Sequence, residues 1–564
     1  MTNEEHLNGK IFDMSNGVES NGYSRPETYG SVDVSNGKSG MMMDNGSYVY
    51  NGEKTAHENI DISLAANYRG KSRITWRLCL AVISAIMGSV VFGYNTGVIN
   101  APETQIKAFL NSTHYERSRD QMSNATITSL YALIVAIFAV GGMVGGLAAG
   151  WWANFFGRKF GMIFNSIIGI AACILMYLSR TAMSYEMIIA GRLLVGISSG
   201  LYTGLTPMYL SEISSPNTRG ALGTLHQIGV VTGILVSQIL GFPEILGNSD
   251  YWNLLLGLGV APCVIQMMTM PFCPESPRFL LISKKREHQA RKALEIFRGT
   301  SNVDFDIEEM KSESKTVTEE DSVSIIGLFR RRSLRRALLI SVIMQLSQQL
   351  SGINAIFYYS FNLFKRAGLS ETTAAHATSG VGGTMIVMTV VSVPLMDRVG
   401  RRTLHLLGLG TMFIFTILIT LSLSLTYLAS WLKIANIIVS LLYVVGFAIG
   451  PGSIPWLIVS ELFSQGARPA AMSVSVVVNW AANFAVAYAF PYMQSGLSDF
   501  SFLPFTALLG IFFLFTLKFV PETKNRTIEE ILQSLNKQNE STTTTRGTYE
   551  ENIYTTDKDI NVKF

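Results

Sequence analysis

The chain has 564 residues, 48% of them hydrophobic and only 15% charged, with a formal net charge of +4. Ordinary soluble proteins carry about 25% charged residues, so this composition cannot cover a water-facing surface and calls for lipid-facing segments. The small net charge argues against a nucleic-acid binder, and the four cysteines (Cys79, Cys173, Cys263, Cys273) form no CxxC, which argues against a zinc site or a disulfide framework.

Residues 1–70 are polar and contain the dipeptide Asn-Gly six times. Such a segment cannot bury enough apolar area to offset its ordering entropy and is expected to be a disordered tail. A bilayer core about 30 Å thick needs about 20 helical residues. Twelve runs meet that need, near 76–100, 126–150, 160–179, 186–210, 220–241, 251–273, 335–364, 372–396, 403–428, 432–459, 469–493 and 500–520. The expected organisation is therefore a tail over 1–70, six spans over 71–273 and a polar helical linker over 274–334. Six further spans over 335–520 and a C-terminal tail over 521–564 complete it.

Basic residues concentrate in the loops after spans 2, 4, 6, 8 and 10. By the positive-inside rule that side is cytoplasmic, which puts both termini and the linker there. The loop between spans 1 and 2 holds two glycosylation sequons, at Asn111 and Asn124, which agrees with its facing outward. Asn111, farther from span 2, is the expected acceptor.

The halves echo each other. Gly157-Arg158-Lys159 matches Gly400-Arg401-Arg402, Glu212 and Arg219 match Glu461 and Arg468, and Pro274-Glu275-Ser276 matches Pro521-Glu522-Thr523, at offsets of 243, 249 and 247 residues. Three matches in order indicate a duplicated six-span unit. Acid and base at the mouth of a low-dielectric region can pair between helices and part again at a cost of order 1 kcal/mol if largely solvated. Arg158, Glu212, Arg219, Glu275, Arg401, Arg402, Glu461 and Arg468 are thus expected to form a cytoplasmic latch.

These motifs resemble the sugar-porter branch of the major facilitator superfamily over roughly residues 70–535. The run from Gln345 through Gln348-Gln349 to Gly352-Ile353-Asn354, and Gly450-Pro451-Gly452-Ser453-Ile454-Pro455-Trp456, are closer still to the animal facilitative glucose transporters. The resemblance implies the major facilitator fold, an all-α membrane protein with two pseudo-symmetric six-helix bundles.

Polar side chains inside spans mark functional sites by default. Gln345, Gln348, Gln349 and Gly352 fall at i, i+3, i+4 and i+7, one stripe on an apolar helix. Amides offer donors and acceptors together, as a hydroxyl-rich neutral ligand requires. Asn354 joins that stripe only if the helix breaks near Ser351-Gly352, so span 7 is expected to be interrupted, as happens at transporter binding sites. Asn95 in span 1 offers a parallel, Gln227 is the ligand candidate in span 5 beside a packed His226, and Asn479 and Asn483 share a face of span 11. Carried over from the family, the sugar-contacting positions are Gln227, Gln348, Gln349, Asn354, Trp456 and Asn483. Asn95, Gln345, Tyr358, Tyr359, Asn479 and Trp480 are expected to line or gate the cavity.

Two positions depart from the family pattern: Met385 stands where most relatives have an asparagine in span 8, and Ala448 where glucose-selective members have a glutamate. Proton-coupled relatives usually carry an aspartate at the position of Asn95, and an amide cannot cycle a proton. The sequence therefore reads as a plasma-membrane uniporter of glucose or a related hexose, not an enzyme, needing no cofactor or metal, with hexose and membrane lipid as its partners and no nucleic acid. A proton-coupled symporter and a non-transporting sugar receptor are the alternatives.

Overall fold

The structure, a computed structural model, describes residues 75–215, 218–319 and 323–524, together with 526, 530–531 and two short strands. Residues 1–69 are a unit apart, in which Met43–Asp44 pairs antiparallel with Ser47–Tyr48. Otherwise the expected disorder of the tails lies outside the described residues.

Ten helices among the described residues are long and apolar enough to cross a bilayer. Six precede the linker: span 1 (Trp76–Gly97), span 2 (Asn124–Phe156), span 3 (Arg158–Leu178), span 4 (Tyr185–Ile213), span 5 (Arg219–Leu240) and span 6 (Trp252–Phe272). After it come span 8 (Glu371–Val399), span 9 (Arg401–Ser424), span 10 (Trp431–Leu462) and span 11 (Arg468–Leu497). The twelve-span reading is completed by the shorter apolar helix of span 12 (Leu503–Phe519) and by span 7, whose two pieces are Arg332–Gln349 and Ile353–Arg366. Span 7 is the least apolar because its glutamines and basic start dilute it. Hydroxyl caps fix several starts: the Thr75, Ser123 and Ser370 side chains accept from the amides of Leu78, Thr126 and Thr373.

One element is absent from the sequence reading. The chain between spans 1 and 2 is a helix, Glu103–Ser118, rather than a loop. Asn111 lies on it half-buried, its Oδ1 accepting from the Met122 amide at 3.1 Å, with Thr113 buried and Asn124 exposed.

The internal repeat is present atom for atom at the linker end. Glu275 accepts from the amides of Arg158 and Lys159 at 3.1 Å, capping span 3. Glu522 accepts from the amides of Arg401 and Arg402 at 2.9 and 3.1 Å, capping span 9. Burial pushes the Glu275 carboxyl above its ordinary range, and the amides of Ser276, Lys159 and Arg158 pull it back. Gly157 (φ +86°, ψ −179°) and Gly400 (φ +102°, ψ 158°) make the turns that bring each carboxylate onto a helix start. A Cβ on either glycine would lie 2.5 or 2.6 Å from a carboxylate oxygen, which is why glycine begins both motifs.

The bundles meet where span 2 packs on span 11 and span 5 on span 8. The linker is fastened to both. Arg298 donates to the carbonyls of Ile213 and Ser214 at 2.9 and 3.0 Å, and the Val323 amide donates to the Gly466 carbonyl at 3.1 Å.

At the end away from the linker, hydrogen bonds stitch the bundles together. Asn100 donates to the Phe357 carbonyl (2.9 Å) and to Ser360 (2.8 Å) and accepts from the Phe361 amide (3.1 Å). Asn362 donates to Glu103 at 3.0 Å, and Tyr492 to Ser129 at 2.8 Å. Toward the linker, Gly223 of span 5 faces open space and Gln227 and Trp456 are only half-buried. The hydrogen bonds named here close the seam at the end away from the linker.

Candidate functional site

Span 7 stops at Gln349 and restarts at Ile353 through Gly352, whose φ of +93° suits a residue without a side chain. A Cβ there would also lie 2.7 Å from the Phe505 ring. Span 10 is broken over Gly450-Pro451-Gly452-Ser453, between Ile449 and Ile454. Each break frees backbone groups that hydrocarbon cannot satisfy. The Tyr443 hydroxyl donates to the Ser351 carbonyl at 2.7 Å in the first break. Gln348 serves the second, its Nε2 donating to the carbonyls of Pro451 (2.8 Å) and Gly452 (2.7 Å).

The remaining amides form one network. Asn479 Nδ2 donates to Gln348 Oε1 and Gln345 Oε1, both at 2.7 Å. Gln349 Nε2 donates to Asn479 Oδ1 at 2.9 Å and to Gln348 Oε1 at 3.3 Å, while Gln349 Oε1 accepts from Asn354 Nδ2. The break thus brings Asn354 back to the stripe, as the helical arithmetic requires. Tyr358 donates to Asn483 Oδ1 at 3.1 Å. Gln348, Gln349, Asn354, Asn479 and Asn483 keep 5, 9, 5, 6 and 7% of their surface accessible, so each presents an edge from a largely internal set of bonds.

Several expected positions differ. The glutamines are not free: they tie span 7 to spans 10 and 11. Gln345 does not line a cavity; it is fully buried and holds Asn479 from behind. Asn95 lies inside the first bundle, fully buried, where its Nδ2 donates to the Val91 carbonyl. Its own carbonyl accepts from Arg192 at 2.7 Å. Arg192, also fully buried, sits 4.6 Å from the Phe138 ring centroid. Tyr359 is buried against Tyr131 and Phe490 and donates to the Ala487 carbonyl at 2.8 Å. Trp480 is 4% exposed, seated against Phe92 and Phe138 over Gly142, where a Cβ would lie 2.5 Å from its ring. Gln227 is half-buried on span 5, while its neighbour His226 bonds Ser89 at 2.8 Å. Met385 and Ala448 are buried at 2 and 4% exposure.

The charged motifs also pair differently from the expected latch. Arg158 binds Glu212 through two bonds of 2.8 Å, with side chains only 9 and 10% exposed. Arg401 binds Glu461 at 3.1 Å, and Glu461 also accepts from Thr523 at 2.5 Å. Both pairs join neighbouring helices of one bundle, and the first is too buried to count as solvated. Removing one partner of such a pair costs about 3–5 kcal/mol, not 1. Arg402 donates to the Leu517 carbonyl at 2.6 Å and Arg468 to the Phe463 carbonyl at 3.3 Å, so neither reaches an expected acid. The side chain of Arg219 lies outside the described residues. These partners are tertiary, and motif spacing alone does not reveal them.

The chain matches the family model described as sugar (and other) transporter over residues 81–535. Facilitated glucose transporter member 3 of solute carrier family 2 from Bos taurus is 49% identical over 478 residues, covering 85% of this chain and 96% of that protein. Member 1 from Gallus gallus is 47% identical over 460 residues, covering 82% and 94%. The xylose transporter XylE from E. coli, in a partially occluded inward open conformation, superposes with a TM-score of 0.69 at 24% identity, covering 80% of this chain and 100% of that one.

Proposed function

The chain belongs to the sugar transporter family, and from that premise we propose that it carries glucose or a related hexose down its gradient by alternating access. The observation that carries this reading is the amide network at the junction of the two interrupted helices, spans 7 and 10, with span 11. Four amides there, Gln348, Gln349, Asn354 and Asn479, bond to one another and keep accessible edges. A hydroxylated solute can trade into such a set, since every hydroxyl both donates and accepts.

In this reading Gln227, Gln348, Gln349, Asn354, Trp456 and Asn483 contact the sugar. Asn479 and Gln345 position the network, and Tyr358, Tyr359 and Trp480 gate it. The moving parts are the bundles 71–273 and 335–520, joined by the linker 274–334 and flanked by tails over 1–70 and 521–564. The linker and termini are cytoplasmic, the membrane is the plasma membrane, and the glycan sits on Asn111. Closure at the end away from the linker then makes this an inward-facing state. Uniport rather than proton coupling follows from Asn95, since Arg192 meets a backbone carbonyl there and not a carboxylate. Zero-trans uptake of labelled glucose into proteoliposomes tests the reading: saturable flux indifferent to an imposed proton gradient is expected. A chain that binds glucose without flux would be a receptor.

A further inference from the structure

We propose that Glu103, on the helix after span 1, and Asn362, on the outer half of span 7, form a side-chain catch that sets how readily the carrier opens at the end away from the linker. The proposal rests on the carrier reading above. Glu103 is 4% exposed, and its Oε1 accepts from Lys107 Nζ at 2.5 Å and from Asn362 Nδ2 at 3.0 Å. Its other oxygen, Oε2, is buried with no partner among the described residues. A cavity of about 150 Å³ lies across the seam here, lined by Glu103, Thr104 and Lys107 from one bundle and Phe361, Asn362 and Lys365 from the other.

The two partners of Oε1 behave differently when the bundles rock. Lys107 is one helical turn away on the same helix, and its ammonium is 5.0 Å from the Tyr131 ring centroid within the same bundle. That ion pair therefore travels with Glu103 in both states. Asn362 comes from the opposite bundle, so its bond is made on closure and lost on opening. Lys365 does not compete, because its ammonium pairs with Glu371 at 2.5 Å. Asn100 closes the same seam mostly through span 7 backbone groups, so those two bonds do not depend on which side chains span 7 carries. The catch reads a side chain. A carboxylate at position 362 would lose the donor that Glu103 accepts from and face that carboxylate across the seam, while the two cations lining the cavity, Lys107 and Lys365, are already paired with Glu103 and Glu371, so closure would be disfavoured.

The test is Asn362→Asp in the full-length chain, alone and with Glu103→Gln, which restores a donor–acceptor pair of the opposite sense. In oriented proteoliposomes the KM for glucose entry and for exit is measured. The single variant should change the exit-to-entry KM ratio by about tenfold, a usual size for conformational coupling, with entry tightening and exit weakening. The double variant should return the ratio to within about twofold of the wild type. A merely structural defect would lower maximal flux without moving the ratio. Hydrogen exchange at peptides covering 100–118 and 353–366 gives a readout independent of transport: faster exchange in Asn362→Asp and restored protection in the double variant are expected. If Asn362→Asp fails to fold, Asn362→Ala removes the same bond and should move both readouts in the same direction by less. Unchanged exchange in the single variant, or no restoration in the double, overturns the catch even if flux is normal. Absent glucose flux in the wild type would overturn the carrier reading instead, with the exchange result still deciding the catch.

Discussion

Gly157→Ala should destabilise the first bundle far more than an ordinary glycine-to-alanine change. Two costs combine. Gly157 occupies a backbone region with φ +86° and ψ −179° that side chains essentially do not enter, worth about 1–3 kcal/mol of strain. The new Cβ would lie 2.5 Å from Glu275 Oε2, so the carboxylate must leave the amides of Arg158 and Lys159. Two charge-assisted bonds are worth about 1.5–3 kcal/mol each, which brings the total to about 4–9 kcal/mol. Against net stabilities of about 5–15 kcal/mol, that is a large share of the whole. In a Glu275→Ala background there is no carboxylate to displace; the strain of about 1–3 kcal/mol remains, with the 2.9 Å approach of the new Cβ to the Phe279 ring. Thermal melting of detergent-solubilised protein, followed by size exclusion, should show a large loss for Gly157→Ala in the wild type and a small one beside Glu275→Ala. Gly400 and Glu522 should repeat the pattern. Equal losses in the two backgrounds would refute the account of the cap.

Gln348→Leu should impair folding as well as transport, because it strands the carbonyls of Pro451 and Gly452 at about 1–3 kcal/mol each; surface expression measured beside uptake checks this. Asn95→Asp places a carboxylate beside the buried Arg192 and should introduce a pH dependence of uptake that the wild type lacks, read from initial rates across acidic pH. Gly142→Val should unseat Trp480 and slow flux with little effect on expression. Asn111→Gln should abolish the mass shift produced by deglycosylation; a retained shift would assign the glycan to Asn124.

Much of the fold is legible in the sequence because hydrocarbon leaves few options: apolar runs of about 20 residues must be helices, and basic loops and repeated motifs order them. The interruption of span 7 was equally readable, since Asn354 cannot meet Gln349 on a continuous helix. What the sequence could not reveal is pairing. Glu212 and Arg219 share a loop, yet Glu212 binds Arg158 from a different turn. Gln348 looks like a ligand group, yet its donors hold the open backbone of span 10. The helix Glu103–Ser118 is too polar for a hydropathy reading to register, although Pro102 before Glu103 and the ion pair to Lys107 mark it in retrospect.

The self-contained amide network also has a kinetic meaning. Groups already paired with one another gain little when a guest arrives, so a sugar bound here is expected to be held weakly and released quickly. A pocket of unmet donors would grip its cargo and stall each cycle, whereas a pre-paired set favours release, on which a carrier's throughput depends.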